Sequence, residues 1–193
     1  MRHLSATLAL WAALTACAQA AEPITLGLNY PRTGPYKEEG LAQMRGALLA
    51  IDEINAAGGV LGRPLRLSSK DTASRPAKAV KNVDKLAAEG AAMLFGGSSS
   101  AVAIAAGKRA KEHGLLYFGT LTYSNDTTGK DGHRYMFREC NNAWMSAQVL
   151  GQYLNKTLPN KRYFYVTADY TWGHTTEASL RQATASDNVG QHA

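Results

Sequence analysis

An alternation of short apolar runs with amphipathic stretches most constrains the fold of this chain. The run "ITLGLN" (residues 24–29) suits a buried strand, and after it apolar residues recur at intervals of three and four, as along one stripe of a helix. That stripe consists of Leu41, Met44, Leu48, Ile51 and Ile54. Gly58 and Gly59 then predict the end of the helix, because glycine adopts the left-handed conformation of a C-terminal cap.

The same strand-then-helix unit recurs up to residue 119. "PLRLSS" alternates as a strand does, and Ser74 is expected to cap a second helix that has Pro76 in its first turn. "AAMLFGG" is a continuous apolar run, typical of a parallel strand covered on both faces, and residues 101–113 predict a third helix that Gly114 ends. "LLYFG" supplies a fourth strand. Repeated units of this kind predict an α/β fold with a doubly wound parallel sheet and right-handed crossovers.

The pattern continues less regularly beyond residue 119. An irregular segment (residues 120–132) precedes a strand at "RYMFREC", a helix, a strand at "RYFYVTA", a final helix over residues 175–183 and a turn at "SDNVGQHA". The first of these two helices is marked by a stripe of Trp144, Ala147, Leu150, Tyr153 and Leu154. These last units are too few to cover a separate sheet. We therefore expect a first α/β lobe over residues 21–140 and an incomplete, truncated second α/β lobe over residues 141–193.

Residues 1–20 have the features of a secretory signal peptide. A basic start is followed by an apolar stretch and by the small-residue cleavage site Ala18-Gln19-Ala20, which predicts export. The segment "LTAC" also fits a bacterial lipoprotein box, so that anchoring through an acylated Cys17 stays an alternative. If Cys17 is removed, Cys140 is the only cysteine, which excludes an internal disulfide and a zinc cluster built on cysteines.

The charge of the chain argues against nucleic acid as a partner. The net charge is +6, but the basic residues are spread along predicted helix faces beside acidic ones. A nucleic-acid groove would require a dense basic stripe with interleaved aromatic residues. We therefore expect a solvated surface and no nucleic-acid partner.

The predicted sheet places a ligand crevice outside the carboxyl ends of its strands, where the strand order reverses. Chain order suggests a reversal between the first and third strands, so that residues 30–40, 96–100 and 120–123 border the crevice. In "LFGGSSSAVA", two glycines let the backbone approach a ligand, and the serines begin a helix whose free N–H groups favour a negative group. This loop suits a carboxylate or an amide carbonyl. The alternative is that one serine caps the helix and the others have no special role.

The sequence lacks the common signatures of nucleotide binding and catalysis. It contains no G-x-x-x-x-G-K-[ST], no G-x-G-x-x-G after the first strand and no G-x-S-x-G elbow. Glu38 and Glu39 suit the start of a helix better than a pair of catalytic carboxylates. The histidines of the mature chain show no metal-ligand spacing; they are His113, His133, His174 and His192. We therefore expect no enzyme activity, no catalytic residue, no metal and no cofactor.

Several segments of the chain together resemble a known family. The segment from "ITLGLNYPRTGPYKEEG" through "AIDEINAAGGVLGRPLRL", followed by "FGGSSSAVAIAA" and "HGLLYFGTLTYSN", resembles the type I periplasmic binding proteins of the leucine/isoleucine/valine-binding family. "VTADYTWGHTTEASL" is similar to that family's D-Y-x-x-G turn in the second lobe. The resemblance covers nearly all of the mature chain, and it implies a two-lobed receptor that closes around a small polar solute in the periplasm.

The resemblance also implies partners and site residues. The partners would be a small-molecule solute (an amino acid, an amide or a urea-like molecule) and the inner-membrane permease of an ABC importer, with the receptor expected to be a monomer. Ser100, or next Ser99, would bind the carboxylate or amide oxygen of the solute. The remaining implied contacts are Thr120 and Thr122 for its nitrogen, Trp172 as a closing aromatic residue, and Tyr36 and Glu39 at the border of the pocket.

Several features depart from the family pattern or leave alternatives open. Many relatives have a disulfide beside the serine loop, which this chain cannot form, and the acidic residue that often faces an ammonium would come after Ala193. Family members cross between lobes three times, and only the crossing near residues 137–142 is expected here. A ligand-sensing domain for a chemoreceptor or sensor kinase is the first alternative, and a secreted α/β enzyme is the second.

Overall fold

The computed structural model describes residues 21–184 and 191–192. The predicted signal peptide and Cys17 lie outside these residues. The described elements are β1 (Ile24–Tyr30), α1 (Lys37–Ala56), β2 (Leu65–Asp71), α2 (Pro76–Ala88), β3 (Met93–Gly96), α3 (Ser100–Glu112), β4 (Tyr117–Gly119), a 3-10 turn (Asn125–Thr127), β5 (Met136–Arg138), α4 (Ala143–Thr157), β6 (Val166–Thr167), α5 (Thr171–Ala183) and β7 (Gln191–His192).

Five strands form one parallel sheet in the order β2-β1-β3-β4-β5. β1 lies between β2 and β3, so the chain first extends the sheet in one direction and then returns to extend it in the other. The predicted reversal between the first and third strands is therefore confirmed. Loops that follow β1 and β3 leave the same edge of the sheet side by side, which is where such folds bind ligands.

Helices α2 and α3 cover one face of this sheet and build its main core. Leu94 of β3 and Tyr117 of β4 are fully buried there against Val83 and Leu86 of α2 and Val102 of α3. Burial of such side chains is worth about 1.5–3 kcal/mol each for the large aliphatic ones. This face gives the first-lobe loops a rigid base.

Helix α1 lies on the opposite face and covers it only in part. Of its predicted apolar stripe, Ile51 is buried, whereas Leu48 and Ile54 remain 45% and 37% exposed. A groove of about 330 Å³ separates α1 from Phe95 and Phe118 of the sheet. The helix forms where the periodicity predicts it, but its stripe is incompletely covered by the described residues.

The second part of the chain contains the helix pair α4 and α5 and a separate two-stranded parallel sheet of β6 and β7. The predicted stripe on α4 is largely exposed, with Trp144 at 47% and Tyr153 at 62%. The buried positions of α4 are small, and Gly151 lies so close to α5 that an added Cβ would be 2.7 Å from the Cβ of Ala183. Close approach of two helices through small residues therefore replaces the expected contact through large ones.

Four details of the sequence prediction were wrong, and the fourth concerns the segment that follows α5. Ser74 does not cap α2, whose N-cap is Arg75; Ser74 instead adopts a positive φ of 56° in the preceding turn, where its N–H bonds to Thr72 Oγ1 at 3.2 Å. The strand expected across residues 162–168 shortens to Val166–Thr167, and α5 begins one turn earlier than expected, at Thr171.

The segment expected to end in a turn contains β7, which pairs in parallel with β6. A second strand of this sheet therefore follows α5, in line with the alternation of strands and helices earlier in the chain. Across the described residues, none of the helices has the length and apolar character needed to cross a membrane.

Candidate functional site

The carboxyl ends of β1, β3 and β4 present three loops at one edge of the sheet. The loop after β3 begins with Gly96, whose φ is +127°, and an added Cβ there would lie only 2.4 Å from the carbonyl oxygen of Asn29. The N–H of Gly97 donates to that same oxygen at 3.0 Å. Glycine is therefore required at Gly96, because the serine loop is pressed against the end of β1.

The three serines of this loop have different surroundings. Ser99 is the N-cap of α3, and its Oγ accepts from the N–H of Val102 at 3.4 Å. Ser100 is 1% exposed, and its Oγ accepts from the N–H of Ser124 at 2.9 Å. Ser98 Oγ is also buried, but it has no hydrogen-bond partner among the described residues.

Sequence reasoning ranked Ser100 first and Ser99 second and passed over Ser98. Because Ser99 and Ser100 use their hydroxyls within the protein, the binding roles expected for them stay predictions. Ser98 is the serine whose hydrogen-bonding capacity is unused. The N-cap rule could have found it, since the cap residue of α3 is committed to its own helix and the serine before it is not.

The loop after β4 is tied to the serine loop through α1. The hydroxyl of Thr120 donates to Gln43 Oε1 at 2.8 Å, and Gln43 Nε2 donates to the carbonyl of Gly97 at 2.9 Å. The N–H of Thr120 also donates to the carbonyl of Gly96 at 3.1 Å. Gln43 thus contacts both loops, although no sequence motif singled it out.

Thr122 lies deeper in the same loop. It is fully buried, and its hydroxyl lies 2.6 Å from that of Thr127. Its N–H donates to Cys140 Sγ at 3.4 Å, and that thiol donates to the carbonyl of Thr122 at 3.5 Å. Burial raises the pKa of the Cys140 thiol, so it stays protonated and serves as this donor. These two hydrogen bonds hold the segment around Cys140 against the β4 loop.

The loop after β1 is held by Asp71 at the end of β2. Asp71 Oδ1 accepts from the N–H groups of Arg32 and Thr33 at 3.0 and 3.1 Å and from that of Ala73 at 2.8 Å. Its Oδ2 accepts from Thr33 Oγ1 and from Lys78 Nζ, both at 2.8 Å. Desolvation opposes ionisation of Asp71, but these donors outweigh it and hold the pKa of the carboxyl well below its usual range.

Tyr36 reaches from this loop to the second part of the chain. It is half-buried and lies near Tyr170, which precedes α5. Burial, followed by interaction with the Tyr36 side chain, raises the pKa of Tyr170. Glu39 is exposed on α1. The pKa of Tyr123 in the β4 loop is raised by burial and by the charges of Cys140 and Glu39.

Trp172 lies in the first turn of α5, next to Tyr170. The two ring centroids are 6.0 Å apart, and Trp172 is 36% exposed. The start of α5 is fixed to the first lobe by Thr171, whose hydroxyl donates to Asp126 Oδ2 at 2.7 Å and lies 2.8 Å from Ser124 Oγ. Since Ser124 also binds Ser100, the serine loop and the helix that carries Trp172 are connected through one residue.

The structure thus brings most of the expected site residues to one region. The serine loop, Thr120 and Thr122 lie on neighbouring strand ends. Tyr36 follows β1 at the same edge of the sheet and lies near Tyr170, which pairs with Trp172. Glu39 is at the periphery. In the parts of the chain that the structure describes, no group of three or more His, Cys, Asp or Glu side chains is arranged to hold a metal ion.

Known proteins are similar to this chain in sequence and in fold. A family model described as "Periplasmic binding protein" matches residues 23–190. The Leu/Ile/Val-binding protein BraC3 of Rhizobium johnstonii is 32% identical over 173 residues, which cover 90% of this chain and 46% of that protein.

Two solved structures have the same fold. The branched-chain amino acid transporter substrate binding protein LivJ from Streptococcus pneumoniae, in complex with isoleucine, gives a TM-score of 0.78 at 25% identity, covering 88% of this chain and 49% of that one. A leucine-, isoleucine-, valine-, threonine- and alanine-binding protein from Brucella ovis, in a closed conformation, gives a TM-score of 0.75 at 26% identity. The match covers 89% of this chain and 47% of that one. The chain spans about half the length of the relatives it matches.

Proposed function

Because the chain belongs to the periplasmic binding protein family, we propose that it acts as the solute-binding receptor of an ABC importer. The receptor is exported to the periplasm after removal of residues 1–20, with anchoring through Cys17 as the alternative, and it delivers its solute to an inner-membrane permease. Residues 21–140 belong to the first lobe and residues 141–193 begin the second. The receptor is a monomer that performs no covalent chemistry.

The observation that carries this proposal is the unpartnered hydroxyl of Ser98. A buried polar group without a hydrogen bond costs about 1–3 kcal/mol. Ser98 stands just before α3, whose N-terminal N–H groups and dipole favour a negative group. A solute carboxylate or amide oxygen at this point would satisfy the hydroxyl. Ser99 and Ser100 support the loop from within.

The nitrogen of the solute is proposed to face Thr120 and Thr122 in the β4 loop. A site with acceptors on one loop and donors on the next suits an amino acid, whose carboxylate and ammonium are joined to one carbon. The names of the relatives, which include Leu/Ile/Val-binding protein, make leucine, isoleucine and valine the first solutes to test. Amides and urea-like molecules follow.

Closure of the cleft is proposed to bring Trp172 over the bound solute. Tyr36 follows β1, and Tyr170 and Trp172 stand at the start of α5, so that aromatic rings come from both sides of the proposed cleft. The solute would favour the closed arrangement by the difference between its affinities for the closed and open states.

Two serine variants and a screen of solutes test the proposal. A thermal-shift screen of branched-chain amino acids, amides and small acids should find a solute that raises the melting temperature, because a ligand of the native state stabilises it by mass action. Ser98→Ala should weaken calorimetric binding of that solute about tenfold or more while leaving the solute-free protein as stable as before. Ser100→Ala should instead destabilise the solute-free protein, because the N–H of Ser124 loses its acceptor.

Two results would contradict the proposal. One is a screen in which no branched-chain amino acid, amide or small acid shifts the melting temperature of the full-length protein. The other is an unchanged affinity in Ser98→Ala, which would leave the serine loop without a role in binding.

A further inference from the structure

Gln43 occupies a position in α1 from which it reaches two cleft loops. It is half-buried, and it lies 54 residues before Gly97 and 77 residues before Thr120 in the chain. Its amide nitrogen donates to the carbonyl of Gly97 at 2.9 Å, and its amide oxygen accepts from the hydroxyl of Thr120 at 2.8 Å. A single side chain therefore bridges the ends of β3 and β4 above the sheet.

The direction of every hydrogen bond in this bridge follows from the chemistry of its groups. A backbone carbonyl can only accept, so the NH₂ of Gln43 must face Gly97. The amide oxygen then faces Thr120, and since that oxygen can only accept, the hydroxyl of Thr120 must donate to it. The single proton of Thr120 is thereby used, and the remaining lone pairs on Thr120 Oγ1 can only accept.

We propose that Gln43 is a positioning residue for solute binding. It holds the serine loop and the threonine loop at a fixed separation, and it fixes Thr120 as a hydrogen-bond acceptor. This inference rests on the proposed function. It deepens that function by stating why the solute group next to Thr120 must carry N–H donors, as an ammonium or an amide does, and why a group with acceptors alone is disfavoured there.

Two variants separate the hydrogen-bonding role of Gln43 from its volume. Gln43→Leu keeps much of the volume and loses both bonds. Gln43→Glu keeps the shape, but at neutral pH the carboxylate cannot donate to the carbonyl of Gly97 and repels it; when protonated, the carboxyl can donate to Gly97 and still accept from Thr120. An ordinary glutamate has a pKa of about 4.3, and a neighbouring carbonyl in a half-buried site raises it.

The binding arm of the experiment uses L-leucine and the full-length protein. At pH about 7.5, Gln43→Leu and Gln43→Glu should both bind about tenfold more weakly than wild type, as for the loss of two hydrogen bonds of ordinary strength. Between pH about 7.5 and about 4.5, Gln43→Glu should recover most of its affinity while Gln43→Leu does not. L-Leucine keeps both of its charges over this range.

Controls account for other titrating groups. Glu39 precedes Gln43 by one turn on α1, and Glu139 borders the groove with Thr120, so wild type is measured at each pH to report any change that these carboxyls cause. Gln152→Glu, at an exposed position of α4, should bind L-leucine as wild type does at every pH. Failure of Gln43→Glu to recover, or equal affinity in all variants, would overturn the inference.

A solute-free arm judges Gln43 independently of the proposed function. Amide hydrogen exchange at Gly97 and Thr120 should become about tenfold faster in Gln43→Leu than in wild type, whereas exchange in β2 stays the same. Unchanged exchange at both amides would overturn the inference whether or not any solute binds. Wild-type protein that binds none of the screened solutes would instead contradict the proposed function alone.

Discussion

The two sides of the cleft are supported by very different amounts of structure. On the first side, the loops after β1, β3 and β4 extend from a five-stranded sheet with a fully buried core beneath it. On the second side, Tyr170 and Trp172 begin α5, and the strand that leads to them, Val166–Thr167, has two residues. Trp172 is 36% exposed, whereas the Ser100 hydroxyl of the first side is sealed inside.

This difference separates loops that rest on a buried sheet from a helix start that rests on a two-residue strand. The first-side loops are fixed by bonds to Asp71, Gln43 and Ser124, each of which joins residues far apart in the chain. The second side meets the first through polar contacts of Ser124, Asn125 and Asp126 with residues of α5, which are Thr171, Thr175 and Ser179. If Trp172 closes over the solute as proposed, substitution of the loop anchors Gly96 and Asp71 should lower stability, whereas substitution of Trp172 should lower affinity with little loss of stability.

The largest effect is expected from Gly96→Ala. The new Cβ would lie 2.4 Å from the carbonyl oxygen of Asn29, at a residue with a φ of +127°. We expect the free energy of unfolding to fall by about 3 kcal/mol or more, measured by urea denaturation. Gly46→Ala is the matched control, because nothing lies within 4 Å of its added Cβ on α1, and it should be neutral or stabilising. Equal urea midpoints for wild type and Gly96→Ala would contradict the close packing of this loop against β1.

A smaller loss of stability is expected from Asp71→Asn, which weakens the hydrogen bonds that hold the β1 loop. At neutral pH the variant should be about 2 kcal/mol less stable than wild type, because hydrogen bonds to a charged acceptor are lost. Asp52→Asn, at an exposed position of α1, should change stability little.

The Asp71 prediction also has a pH dependence with a definite sign. The pKa of Asp71 is lowered in the folded protein, so its stabilising contribution is full above the unfolded value of about 3.9 and is lost as the pH falls below it. The stabilities of wild type and Asp71→Asn should therefore converge between pH about 5 and about 2. A constant difference across that range would show that the carboxylate charge does not anchor the loop.

The smallest effect on stability is expected from Trp172→Ala. The side chain is 36% exposed, so its removal should cost less than about 1 kcal/mol of folding free energy, while affinity for L-leucine falls about tenfold or more. Trp144→Ala, at a residue that is 47% exposed on α4, should leave affinity unchanged. A large loss of stability with unchanged affinity in Trp172→Ala would contradict the proposed closure of Trp172 over the solute.

The same contrast explains how much could be predicted from the sequence. The strands of the first lobe, the reversal between β1 and β3 and the three cleft loops follow from local periodicity and from the rules of parallel sheets. The bonds of Gln43 to Thr120, of Asp71 to Arg32 and of Ser100 to Ser124 could not be predicted, because these partners are between 24 and 77 residues apart and no spacing rule connects them.

The second part of the chain was predicted less well for a physical reason. The stripe on α4 correctly predicted a helix but not its buried face, because Ala143, Ala147 and Gly151 allow α5 to approach more closely than the large residues would. The hydrogen bonds of the three adjacent serines could not be predicted either, since side-chain direction at the start of a helix depends on which residue becomes the cap.

A crystal structure of the full-length protein with its bound solute, L-leucine if the screen selects it, would test the central claim most directly. We expect the carboxylate of the solute to accept hydrogen bonds from Ser98 Oγ and from backbone N–H groups at the start of α3, with Trp172 on the opposite side of the solute. A solute bound elsewhere, with Ser98 Oγ still lacking a partner, would contradict the account.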